Sequence, residues 1–131
     1  MRAIDTNVLL RYLVADDPRQ TAAAQRIIEE CRQVDEPIFL TALVLCETVW
    51  VLNSVYQQSK TQIVDIIEAL LAMDLIRFEH DRLVRRAFDQ FRLSRADFSD
   101  YLIGAISTAE GCRDTVTFDR ALKDSPGFTI L

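Results

Sequence analysis

The sequence predicts an α/β fold: a three-layer α/β/α domain in which helices flank a short central parallel sheet. Short apolar runs alternate with longer stretches whose apolar residues recur at helical spacing. The short runs are almost wholly apolar, as strands covered on both faces are. Gly and Pro number only three each in 131 residues, so connections are short and regular structure is abundant. The length suits a single domain spanning residues 1–131, and a hydrophobic content of 50% excludes disorder as a general description.

Residues 2–5 read as a short buried strand, and residues 6–14 carry Val8, Leu9, Tyr12 and Leu13 at helical spacing. Asp17-Pro18 opens a second helix, with Pro in the first turn, whose stripe of Ala24, Ile27, Ile28 and Cys31 runs to about residue 32. Residues 37–40 are the next strand. Thr41 is a good N-cap for a helix over residues 42–56, which is apolar nearly all round and so is expected to be central and buried. Residues 60–73 are amphipathic, with Ile63, Ile66, Ile67, Leu70 and Leu71 inward. Residues 75–78 form a third strand, and residues 81–93 a helix with Leu83, Val84, Ala87, Phe88 and Phe91 on one face. A helix over residues 98–110 is stopped by Gly111. Residues 114–118 are a strand, 120–123 a short helix and 128–131 a final strand.

Cys31, Cys46 and Cys112 are widely spaced, form no CxxC pair, and make no recognisable zinc site with His80. They read as buried free thiols in a reducing, cytoplasmic setting. The N-terminus reaches Asp5 too soon for a signal peptide, and no apolar run approaches the ~20 residues of a membrane span. A net charge of −5 argues against a general cationic nucleic-acid binder. Arg77, Arg82, Arg85, Arg86, Arg92 and Arg95 nevertheless crowd together. With Glu79, Asp81 and Asp89 interleaved they read as a solvated helix face; the alternative is a strip that meets a phosphate backbone.

Four acids stand in apolar surroundings: Asp5, Glu47, Asp100 and Asp119. A carboxylate buried alone costs several kcal/mol or gives up its charge, and no Lys or Arg lies inside these runs. Converging carboxylates can instead share Mg²⁺ or Mn²⁺. Asp5 and Asp119 fall at carboxyl ends of strands, where open parallel sheets bind ligands. Three of the four also have a plain role open to them. Asp5 or Thr6 can cap the helix that follows, Asp119 the helix at 120–123, and Asp97 with Asp100 can form a capping box. Glu47 lies too far into its helix to act as a cap and is flanked by Leu43, Val44, Trp50 and Val51, so a functional role is favoured for it. Asp100 shares a side with Gly104, whose missing side chain leaves room for close approach.

Taken in order, Arg2-Ala-Ile-Asp5-Thr6-Asn7-Val8-Leu9, Glu47, Ala96-Asp97-Phe98-Ser99-Asp100-Tyr101-Leu102-Ile103 and Thr117-Phe118-Asp119 resemble the motifs of PIN-domain ribonucleases. Among these the chain is most similar to the VapC-type toxins of toxin–antitoxin pairs. The resemblance runs the length of the chain, and the ordered set of four acids is its specific part. It implies that Asp5, Glu47, Asp100 and Asp119 are catalytic and hold Mg²⁺ or Mn²⁺. Thr6, Asn7, Asp97 and Thr117 would support them. It also implies an antitoxin seated in a hydrophobic groove between helices near the N-terminus, and a homodimer.

The reaction implied is hydrolysis of an RNA phosphodiester, in which one or two ions lower the pKa of a bound water and stabilise the leaving oxygen. Three rivals remain. A metal-dependent phosphatase commonly carries a second acid two residues after its aspartate nucleophile, a position held here by Asn7. A non-catalytic binding module would not need the intact acid set. A PIN domain that processes RNA without a toxin role is the third.

Overall fold

The computed structural model describes all residues, 1–131. By its internal packing the chain parts into two compact units, residues 1–79 and 80–131.

In the first unit, β1 (Arg2–Ala3), β2 (Ile38–Leu40) and β3 (Ile76–Phe78) form a three-stranded sheet in the order β1-β2-β3. Every pairing is parallel, with Arg2 opposite Ile38 and Ile38 opposite Ile76. Each crossover contains two helices: α1 (Thr6–Leu13) and α2 (Pro18–Gln33) before β2, α3 (Ala42–Ser54) and α4 (Lys60–Leu71) before β3. The central strand buries Ile38 and Leu40. The edge strand β1 is exposed at both residues, against the expectation of a buried strand: it is only two residues long, and one of them, Arg2, pairs with Glu30 at the surface.

Local chemistry sets the helix starts. The Asp17 carboxylate accepts from Gln20 N–H at 3.1 Å, with Pro18 in the first turn of α2. Thr41 Oγ1 accepts from Val44 N–H at 3.1 Å at the head of α3. Ser59 and Gln62 form a reciprocal capping box on α4. Glu79, just past β3, adds a cap that sequence reading missed: its Oε2 accepts the Ala42 N–H at 2.8 Å. An anion there is favoured by the helix dipole.

α1 is tied down by a polar network at its end. The Arg11 guanidinium donates to Asp16 Oδ1 and to the Tyr56 hydroxyl, each at 3.0 Å, and that hydroxyl donates to Asp16 Oδ2 at 2.9 Å. The Tyr56 hydroxyl and the Arg11 charge hold the Asp16 carboxyl below its usual range.

α3 corrects the expectation of a wholly buried helix. Leu45, Thr48, Val49 and Leu52 are buried, but Leu43 and Trp50 are 66% and 64% exposed. Its apolar character runs all round, yet it packs against α1 and α4 and leaves Leu43 and Trp50 uncovered.

In the second unit, α5 (Asp81–Leu93) packs on α6 (Phe98–Ala109), with Phe91 and Phe98 edge to face at 6.1 Å between ring centroids. β4 (Thr115–Thr117) and β5 (Phe128–Ile130) pair in parallel around a 3₁₀ turn, Arg120–Leu122. Gly111, at φ +90°, ends α6 as expected, in a conformation that costs glycine little. Arg85 pairs with Asp81 and Arg92 with Asp89, so much of the arginine cluster is a solvated, acid-interleaved face. The three thiols are free, but only Cys31 is buried: Cys46 is half-buried and Cys112 exposed.

The α/β reading and parallel pairing hold, with six helices. The strands lie in one three-stranded and one two-stranded ladder. Gly104 has a different role from the one expected. A Cβ there would meet the Phe128 ring at 2.6 Å, so the space it leaves is filled by β5. Gly104→Val is expected to lower stability by about 1–3 kcal/mol, the usual range for overpacking, and thermal unfolding checks it. An unchanged melting temperature would mean the Phe128 ring moves aside freely.

Candidate active site

The candidate acids stand where backbone elements end. Asp5 follows β1 and caps α1, its Oδ1 accepting from Val8 N–H at 2.9 Å. Glu47 projects from the second turn of α3, and its Oε2 accepts from the Thr6 hydroxyl at 2.9 Å. Thr6 is the first residue of α1, so the end of β1 and the start of α1 meet α3 at this hydrogen bond. The first unit therefore gathers Asp5, Thr6 and Glu47. Asn7, exposed beside them, lines with Asp5 a cleft of about 280 Å³ between α1 and α2.

The second unit gathers Asp97, Asp100 and Asp119. Asp97 is the N-cap of α6 and Asp100 its third residue, the capping-box arrangement the spacing suggested. Asp97 N–H donates to Asp100 Oδ2 at 3.1 Å. Asp119 follows β4 and caps the 3₁₀ turn through Ala121 N–H at 2.9 Å. Its own N–H donates to Thr117 Oγ1 at 3.0 Å, so Thr117 fixes the backbone that carries Asp119.

The premise that these acids are buried is corrected. Asp5, Glu47, Asp97 and Asp119 are exposed, and Asp100 is half-buried. The apolar runs around them are real, but the acids occupy strand ends, helix starts or the open side of α3, where water or N–H groups reach a carboxylate. The Asp100 carboxyl is perturbed. Burial raises its pKa and the nearby charges of Asp97 and Asp119 add to that, while the Asp97 N–H pulls the other way.

Each acid group matches in kind what a hard divalent cation prefers: carboxylate oxygens, with hydroxyls holding them in place. The like charges crowding Asp100 are those a cation would relieve. Neither unit by itself brings three His, Cys, Asp or Glu side chains into a metal-holding group. Within a unit the donors come as small, pre-positioned sets.

A carboxyl whose pKa in the fold lies above 3.8 opposes folding once ionised. That cost is absent below the ordinary value and complete above the raised one. In Asp100→Asn the amide oxygen can still accept the Asp97 N–H, and the charge is gone. With EDTA at neutral pH the variant is expected to melt no lower than wild type, with a gain of no more than about 1 kcal/mol because the group is partly solvated. The gain should vanish near pH 3. A variant less stable at pH 7 would show that the charge is not strained.

A curated relative, the VapC ribonuclease of Aquifex aeolicus (strain VF5), is 26% identical over 123 residues, covering 94% of this chain and 90% of that protein. The crystal structure of Mycobacterium tuberculosis VapC20, described as a sarcin-ricin-loop-cleaving toxin, aligns over 97% of this chain and 96% of that one. It does so at 18% identity and a TM-score of 0.43, a likeness too slight to argue from. Residues 3–127 match the PIN domain, nearly the whole length, and the chain belongs to that family.

Proposed function

We propose that this protein is a ribonuclease that cleaves RNA phosphodiester bonds with the help of Mg²⁺ or Mn²⁺, and that it is the toxin of a toxin–antitoxin pair. The observation that carries the reading is the likeness over 94% of the chain to a protein named VapC ribonuclease, within an established PIN-domain family match. The acids agree with it. Asp5 and Glu47 in the first unit, and Asp100 and Asp119 in the second, are the metal-binding and catalytic set. Thr6, Asn7, Asp97 and Thr117 are their supports.

The chain's own groups have distinct tasks. The Thr6 hydroxyl orients the Glu47 carboxylate, and Thr117 orients the turn that presents Asp119. The Val8 and Ala121 N–H groups each occupy one oxygen of Asp5 and Asp119, leaving the second free to bind. Asp97 raises the negative charge density at Asp100. A bound divalent ion would supply the Lewis acidity that phosphodiester hydrolysis needs at neutral pH.

An antitoxin would seat on the open cleft between α1 and α2, where Ala23 and Ile27 offer apolar surface beside Asp5. We further propose a homodimer acting in the cytoplasm. No helix is long and apolar enough to cross a membrane.

The test is RNA cleavage by purified protein with Mn²⁺ or Mg²⁺, against EDTA. Asp100→Asn is expected to lose about 100-fold or more. Thr6→Val, which removes only the orienting hydroxyl, should lose about 10–100-fold, mostly in metal affinity. Cleavage that survives both EDTA and Asp100→Asn would sink the assignment.

A further inference from the structure

All but two of the chain's aromatic side chains are at least partly buried; the two exposed ones are Trp50 and Phe118. Each stands beside a candidate acid. Trp50, 64% exposed, lies three residues after Glu47 and therefore on the same face of α3. Leu43, one turn before Glu47, extends that exposed stripe, while Leu45, Thr48, Val49 and Leu52 take the buried side. Phe118, 81% exposed, directly precedes Asp119. Phe118 lies just past the end of β4 and is exposed, as Val116 is, while the intervening Thr117 turns its hydroxyl to the Asp119 N–H.

A lone exposed hydrophobe is ordinary. The aliphatic ones Val34, Leu93 and Ile103 need no account. The coincidence of both exposed rings with the acids does. Leaving such a ring in water forgoes roughly 1.5–3 kcal/mol of burial. A ring plane differs from a leucine in one respect that suits a nuclease: it stacks on a nucleobase of any sequence, for about 1–3 kcal/mol per base. A chain of net charge −5 gains little from attraction to the phosphate backbone, so affinity must come from elsewhere.

We propose that Trp50, beside Glu47 in the first unit, and Phe118, beside Asp119 in the second, are substrate-binding residues, each of which stacks on an unpaired base of single-stranded RNA. The proposal rests on the ribonuclease reading. It restricts the substrate to RNA whose bases can be splayed out, in loops or unstructured strands.

Trp50 is the single tryptophan, so its fluorescence reports on that ring alone. The wild-type protein is titrated with a 2′-O-methyl single-stranded oligonucleotide that resists hydrolysis, with its duplex, and with an abasic strand of equal length. Saturable quenching by the single strand, at least about tenfold weaker for the duplex and the abasic strand, is expected. Phe118→Ala should weaken that binding about tenfold. In cleavage assays Trp50→Ala should raise KM about tenfold with kcat little changed, and Trp50→Phe should restore most of the loss. Circular dichroism checks that each variant keeps the wild-type fold.

Equal quenching by the abasic strand, or an unchanged KM in both alanine variants, overturns the proposal. So does fluorescence that follows protein concentration alone together with a dimer lost in Trp50→Ala, because a second copy then covers the face. The ribonuclease reading fails separately, by absence of metal-dependent cleavage in the wild type. The binding titration involves no cleavage, so base-dependent quenching supports the stacking residues in either case.

Discussion

The first turn of a helix leaves backbone N–H groups without partners, and a carboxylate placed there satisfies them. The candidate site depends on this constraint. Asp5 on α1, Asp97 with Asp100 on α6, and Asp119 on the 3₁₀ turn all meet amides at the start of an element. Such caps contribute about 0.5–2 kcal/mol each, which offsets the placement of negative charge at these positions. Capping and metal binding are therefore not competing descriptions of the same residue. A cap uses one oxygen and fixes its carboxylate, and a fixed carboxylate is a better-placed ligand.

Glu47 is the exception that shows what the others gain. It lies in the second turn of α3, beyond the reach of the unpaired amides, and a side-chain hydroxyl orients it instead. That hydroxyl belongs to Thr6, directly after Asp5. α3 itself is anchored at its head by Thr41 and Glu79, the latter from just past β3. The position of Glu47 thus depends on the ends of β1 and β3 and the start of α1.

Asp100 carries the strain that such an arrangement stores. Its carboxyl is half-buried and faces the charges of Asp97 and Asp119. Burial, and after it the charges of Asp97 and Asp119, disfavours the ionised form of Asp100. The unit tolerates the three acids because Asp97 N–H reaches Asp100 and because Asp97 and Asp119 stay in water. Functional sites commonly hold such locally unfavourable groups, supported by the structure around them.

The order and type of every element was determined by the sequence itself, because local signals set them. Asp17-Pro18, Thr41 and Ser59 start helices, Gly111 ends one, and short apolar runs mark strands that pair in parallel. The positions of the candidate acids at strand ends and helix starts were legible for the same reason. Exposure was not legible. Glu47 looked enclosed because its neighbours in sequence are apolar, yet only one side of α3 is covered, and which side depends on the elements packed against it. The empty space at Gly104 looked like room for a ligand and is taken by Phe128, which is distant in sequence. Thr6 reaching Glu47 and Glu79 capping α3 are likewise pairings across tens of residues. Capping and periodicity act within a few residues and are written in the chain; coverage and long-range hydrogen bonds exist only once the chain has folded.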